Sequence, residues 1–152
     1  MSLDQVLYED LEADVTGGRR CCDGKWFTGI AIHRDAQTRR ILAMTTYFDG
    51  QPHGPDRAWY ADGTLKLEGF NEMGNRHGTY REWYADGRPK TEAFFELSVC
   101  VQEKAWSPTG ELLRSFILQP NDPDYRRLAK KRSESGPIPI ITTNDDLDVA
   151  ST

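Results

Sequence analysis

Cysteine is scarce: the 152 residues hold only Cys21, Cys22 and Cys100. Two of them are adjacent, the number is odd, and no pair has the C-x-x-C spacing, which excludes a disulfide framework and a zinc knuckle. Long apolar runs are absent as well. The longest, such as Ile138 to Ile141, are a few residues, far short of the ~20 that a membrane helix needs. Met1 to Leu11 lacks a basic residue followed by an apolar stretch, so no secretory leader is read there and the expected location is cytoplasmic. Cations are not in excess either. Nineteen Lys and Arg face twenty-four Asp and Glu, a formal charge of -5. The surplus acid lies in residues 1 to 15, which carry five acids and no base. Nucleic acid and anionic membrane surfaces, which select clustered Lys and Arg, are therefore not the expected partners. A basic protein is.

What the chain does have is aromatic residues in a repeat. Trp59-Tyr60-Ala61-Asp62-Gly63 recurs as Trp83-Tyr84-Ala85-Asp86-Gly87, with a degenerate copy at Trp106-Ser107-Pro108-Thr109-Gly110. His53-Gly54 and His77-Gly78 stand six residues ahead of the first two copies, and Gly24-Lys25-Trp26-Phe27-Thr28-Gly29 begins a weaker unit. Self-similarity at a fixed period marks a repeat architecture. Within each unit, runs of four to eight residues rich in Trp, Tyr, Phe, Leu and Thr are punctuated by Asp-Gly, Thr-Gly or Met-Gly and show no helical period, so each unit reads as a β-hairpin. The expected fold is all-β: an antiparallel meander of stacked hairpins over residues 24–118. Before it comes an acidic segment, 1–23, read as an edge strand or an arm. After it, residues 119–152 hold a short helix starting at Asp122-Pro123 and a flexible tail in which Ile138 to Ile141 docks as an added strand.

Pro108, in the place of Ala61 and Ala85, decides the turn. A two-residue turn needs a backbone N–H there, whereas a type I turn followed by a glycine bulge accepts proline's fixed φ. A three-residue loop is expected, with Gly63, Gly87 and Gly110 at positive φ and Trp59 opposite Leu65. Strict alternation from that point puts Trp59, Leu65, Leu67, Trp83, Thr91, Ala93, Phe95, Trp106, Leu112, Phe116 and Leu118 on one face, the expected core. The opposite face then carries Tyr60, Glu68, Phe70, Tyr80, Glu82, Tyr84, Glu92 and Phe94, with Lys66 and Lys90. Aromatic anchors ringed by glutamate are the expected partner-binding site.

At these residues the chain resembles the bacterial variant of the MORN repeat, specifically the YwqK-type antitoxin family, over about residues 24 to 118. Gly24 to Gly29, His53-Gly54, Trp59 to Glu68 and His77 to Glu92 carry the match. The fourth unit departs, with Val99-Cys100-Val101 in place of x-His-Gly and Ser107 in place of the tyrosine. The resemblance implies a repeat sheet without catalysis or cofactor, acting as an antitoxin or immunity protein that occludes a toxin domain with a basic cleft. MORN-type sheets also serve as scaffolds or membrane-surface adaptors, the alternative role. His53 and His77 share no nucleophile, Asp62 and Asp86 are ordinary turn residues, and Cys21-Cys22 reads as a pair of idle thiols, so no catalytic or metal site is expected.

Overall fold

The computed structural model describes residues 3–14 and 17–135. Thirteen strands follow in chain order: β1 (Gln5–Leu7), β2 (Glu12–Ala13), β3 (Arg20–Cys22), β4 (Lys25–Trp26), β5 (Gly29–Arg34), β6 (Ile41–Phe48), β7 (Gln51–Trp59), β8 (Leu65–Glu72), β9 (Asn75–Arg76), β10 (Gly78–Trp83), β11 (Pro89–Glu96), β12 (Val99–Trp106) and β13 (Leu112–Ile117). A single 3-10 turn (Tyr8–Asp10) follows β1, and the one α-helix among the described residues, α1 (Pro123–Glu134), comes last. A ten-stranded sheet runs β1-β5-β6-β7-β8-β10-β11-β12-β13, with β9 beside β8. Sequential antiparallel neighbours form the expected meander; only β1, the edge strand, pairs in parallel, with β5. β2, β3 and β4 form a separate small sheet. The expected docking of Ile138 to Ile141 and the flexible tail fall on residues 136–152, outside the described residues. No described helix is long and apolar enough to cross a membrane.

The loops take the expected form. Tyr60 N–H donates to the Thr64 carbonyl at 2.8 Å and Gly63 N–H to the Tyr60 carbonyl at 2.9 Å, and Tyr84 with Arg88 and Gly87, and Ser107 with Glu111 and Gly110, repeat the pattern. Gly63, Gly87 and Gly110 have φ of 92°, 85° and 90°, and Trp59 pairs with Leu65.

The expected division of faces does not survive the next residue. The register shifts between Ala58 and Trp59, so Ala58 opposes Leu67 instead of Lys66. Equivalent shifts occur at Glu82/Trp83, Ala105/Trp106 and His33/Arg34. This bulge puts the tryptophans on the face of Arg57, Arg81 and Lys104, and Leu67, Thr91 and Ala93 on the other. The tryptophans are therefore not the core: Trp59, Trp83 and Trp106 are half-buried, as are Tyr60 and Tyr84.

The core consists of three small clusters instead. Leu11, Phe27, Ala31 and Tyr47 pack on one face of the first strands, beneath the N-terminal segment, with Val6 and Cys22 against them. Ile30, Ile32 and Met44 form a second cluster on the opposite face, with Leu3 and Trp59 at its border. The third is Val99, Leu118 and Leu128, where α1 docks. Asp122 is the N-cap residue of α1 and Pro123 opens the helix. Lys131 Nζ donates to the Leu97 carbonyl at 2.7 Å, and Arg132 grips Glu96 through two contacts of 2.5 and 2.7 Å. That guanidinium holds the Glu96 carboxyl below its usual range. A depressed folded value means a contribution present above the ordinary carboxylate range and lost as pH falls through the folded value, so this clamp opens only in acid.

Two outcomes test this account. No atom lies within 4 Å of a Cβ placed on Gly63, so Gly63→Val should cost only left-handed strain, about 1 to 2 kcal/mol in denaturant unfolding; no loss would show that the loop takes another turn. Leu128 is 2% exposed, and Leu128→Ala should cost about 2 to 5 kcal/mol as a core truncation; an unchanged melting curve would mean that α1 does not pack.

Candidate functional site

Because the register is shared from strand to strand, one position of every unit falls into a single row across the sheet. Met44 opposes Arg57, Arg57 opposes Glu68, Glu68 opposes Arg81, Arg81 opposes Glu92, Glu92 opposes Lys104 and Lys104 opposes Ser115. Charge thus alternates over five neighbouring strands. Arg57 Nε lies 3.1 Å from Glu68 Oε2, and Arg81 Nε 3.1 Å from Glu92 Oε2. Directly opposed unlike charges are favourable in a sheet, though exposed pairs contribute only ~0 to 1 kcal/mol each. Strands ~4.8 Å apart place Glu68 and Glu92 roughly 10 Å from one another with Arg81 between them.

Apolar rows flank the charged one. Two residues toward the loops stand Trp59, Trp83 and Trp106, on the same face by the period of two. Two residues the other way stand Pro55, Phe70, Thr79, Phe94, Gln102 and Ile117, where Pro55 opposes Phe70 and Thr79 opposes Phe94. Phe70 is 41% and Phe94 38% exposed. Phe70 has its ring edge-on to His53. His53 itself is 3% exposed, and its Nδ1 accepts the Met73 N–H at 3.1 Å. Phe48 is its second aromatic neighbour, with ring centroids 6.0 Å apart.

Of the residues expected to share a binding face, Glu68, Phe70, Glu92 and Phe94 do lie together here. Tyr60, Tyr80, Glu82 and Tyr84 lie on the opposite face, because Glu82 opposes Leu67 and Tyr80 opposes Ala93. Their side chains have internal work. Tyr60 Oη donates to the Trp83 carbonyl and Tyr84 Oη to the Trp106 carbonyl, both at 2.8 Å, so each tyrosine joins its unit to the next. The Tyr80 ring lies over Gly69, where a Cβ would come within 2.7 Å of it. It meets Phe95 edge-on, carries the Arg76 guanidinium 4.7 Å from its centroid, and donates to Glu82 Oε1 at 3.1 Å. Burial, with Glu82 beside it, pushes the Tyr80 phenol up to about 12.

Alternation from the loop missed the cations that complete the row. Their signal is nonetheless present: Arg57-Ala58-Trp59, Arg81-Glu82-Trp83 and Lys104-Ala105-Trp106 each place a base two residues before the tryptophan. Among the described residues the two caps lie mainly on the other face, and Leu3 and Arg132 reach this one only at its ends, against the Ile30, Ile32 and Met44 cluster and against Glu96. The N-terminal segment covers Ala31 and Tyr47, and α1 covers Leu118 and Phe116, all on the tyrosine face. Among the described residues no group of three or more His, Cys, Asp or Glu side chains is placed to hold a metal ion. The face presents aromatic and charged groups side by side at strand spacing.

Tyr84→Phe isolates the inter-unit hydrogen bond, since it deletes only the hydroxyl and leaves the Trp106 carbonyl without its donor. It should cost about 0.5 to 1.5 kcal/mol of unfolding free energy, and no change would mean that the contact is incidental.

No family model matches the chain, and no curated protein matches it.

Proposed function

We propose that the chain is an antitoxin or immunity protein, of the bacterial MORN-repeat type that its units resemble, and that it neutralises a cytotoxic enzyme domain by lying against it. The observation that supports this reading is the sheet face with exposed Phe70 and Phe94 on which Glu68 and Glu92 alternate with Arg57, Arg81 and Lys104, flanked by the tryptophan row. Buried aromatics and arginines supply most of the energy in protein interfaces, and a fixed charge pattern selects the partner and speeds association. Three cations against two anions make the row nearly neutral. It asks for an alternating counter-pattern, acids opposite Arg81 and bases opposite Glu68 and Glu92, more than for a uniformly basic cleft. Near-neutrality also disfavours an adaptor held on anionic lipid, because such surfaces retain polybasic patches.

The direct experiment is co-expression. Where a large secreted protein is encoded beside this chain, cells producing its C-terminal domain should stop growing and recover when the chain is supplied. Recovery should fail with Phe70→Ala/Phe94→Ala, two partly exposed positions whose loss leaves the three core clusters untouched. In a binding titration each truncation should weaken the complex by about 2 kcal/mol, or ~30-fold, if it is a hot spot. Glu92→Arg should mainly slow association, and less so at high salt. Growth arrest that the wild-type chain does not relieve would overturn the reading; relief by the double variant at full strength would move the site to another surface.

A further inference from the structure

Pairing along the charged row leaves one cation over. Arg57 has Glu68 and Arg81 has Glu92, each at 3.1 Å. Lys104 comes next, with Glu92 opposite it on one side and Ser115 on the other. Glu92 is already engaged by Arg81, and where an acid would continue the alternation β13 has a serine. Among the described residues the Lys104 ammonium therefore has no ion pair or hydrogen bond. The same holds among them for the Ser115 hydroxyl and for the side-chain amide of Gln102, two residues along β12 on the same face. A depression of about 200 Å³ lies here, with Glu92, Gln102, Lys104, Ser115 and Ile117 among the residues around it. On the opposite face of these two strands the cation is matched, since Arg114 pairs with Glu103. Apolar groups frame the depression: Trp106 and Leu112, which oppose one another, stand one row toward the loop, and Ile117, 63% exposed, stands one row the other way, opposite Gln102.

On the reading that this face meets a protein partner, we infer that the depression at Lys104 receives a carboxylate of that partner, an Asp or Glu side chain on an extended segment with apolar residues to either side. Charge carries the choice. One more acid brings the row from three cations against two anions to an even balance, and it falls beside the one cation of the row that has no acid of its own. The Ser115 hydroxyl and the Gln102 amide supply further donors for the second carboxylate oxygen. A phosphate group is the poorer occupant. Its charge of nearly two asks for a second cation, and the nearest, Arg81, is held by Glu92. Spacing carries the rest. Rows two residues apart along a strand lie ~6.8 Å from one another, which is also the distance between alternate residues of an extended segment. A segment laid along β12 with its acid at Lys104 thus sets its flanking apolar residues against Trp106 and Leu112 at one end and Ile117 at the other.

The test needs no toxin. A blocked pentapeptide with glutamate at its centre, leucine at both ends and glycine between is titrated into the isotope-labelled full chain, beside the same peptide with glutamine or lysine at its centre. The glutamate peptide should move the Lys104 and Ser115 amide resonances saturably, and the other two should not. Lys104→Gln, at an exposed position, should leave the melting curve unchanged and weaken the glutamate peptide about tenfold, as loss of one charge-assisted hydrogen bond does. Lys104→Arg should retain it. No saturable shift, equal binding of the glutamate and lysine peptides, or a Lys104→Gln variant that binds like the unsubstituted chain would each overturn the proposal. So would inorganic phosphate that displaces the peptide at lower concentration than acetate does, or a peptide that binds only when the chain is cut after Ser135, so that its own C-terminal acids hold the depression. Growth arrest that the chain does not relieve, with the glutamate peptide still bound at Lys104, would count against the antitoxin reading alone and would support the site.

Discussion

The one-residue register shift beside each loop is the constraint on which the rest of this structure depends. Had the pairing run on unbroken from Trp59 opposite Leu65, Ala58 would oppose Lys66 and Arg57 would oppose Leu67. The bulge moves Leu67 opposite Ala58 and brings Glu68 opposite Arg57. The same step recurs in the hairpins that turn at Gly87 and Gly110, so the change is multiplied along the sheet and yields a row instead of isolated pairs. A side-chain period of two leaves no intermediate outcome, since a slip of one residue carries every side chain beyond it to the other face. Bulges also sharpen the right-handed twist of the strands they interrupt.

Among the described residues no broad layer packs on the middle strands, and bonds between successive units join the sheet. Tyr60 and Tyr84 reach the backbone of the next tryptophan. At the loop end, Arg40 donates to the Ala61 carbonyl and Arg88 to the Pro108 carbonyl. At the opposite end, Gly50, Gly74 and Ser98 N–H groups donate to the Phe27, Pro52 and Arg76 carbonyls at 2.8 Å each. Such a molecule approximates a one-dimensional array, in which stability is the sum of unit and nearest-neighbour terms and the terminal units need caps. The caps here differ in kind, a small sheet with its leading segment at one end and a helix at the other. Among the described residues both lie mainly on the tyrosine face, with Leu3 and Arg132 reaching round to the Ile30 cluster and to Glu96 on the other. On the tryptophan face Phe70 and Phe94 stay 41% and 38% exposed, and it is there that the proposed partner would be met.

The apolar flanks and the charged row have different roles on that surface. The ion pairs are too exposed to add much stability, but each holds a long side chain in a fixed place between aromatic neighbours, so fewer rotamers are lost when a partner arrives. Phe70 and Phe94 stand where the proposed partner would meet them, and His53, held by the Met73 N–H, packs edge-on against Phe70. The repeated histidine is not used alike in the two units, since His77 lies with its Nδ1 3.1 Å from Glu72 Oε2.

By itself the sequence determined the all-β class, the hairpin repeat, the three-residue loops with their positive-φ glycines and the helix opened by Pro123, because each rests on local chemistry: proline's fixed φ, glycine's freedom and a period of two within short runs. It also carried, in Arg57-Ala58-Trp59 and its two counterparts, the row of bases. Which residues share a face was decided only in three dimensions. No glycine or proline marks Lys66, Lys90 or Leu113, the residues at the bulges, so alternation counted from the loop assigns Trp59 and Trp83 to the wrong side and gathers Tyr60, Tyr80, Glu82 and Tyr84 with Glu68, Phe70, Glu92 and Phe94 on a surface that they do not share. The position of the core was likewise a tertiary matter. It depends on where the chain ends fold back, and no local preference in Leu11 or Leu128 specifies which face of a distant strand each will cover.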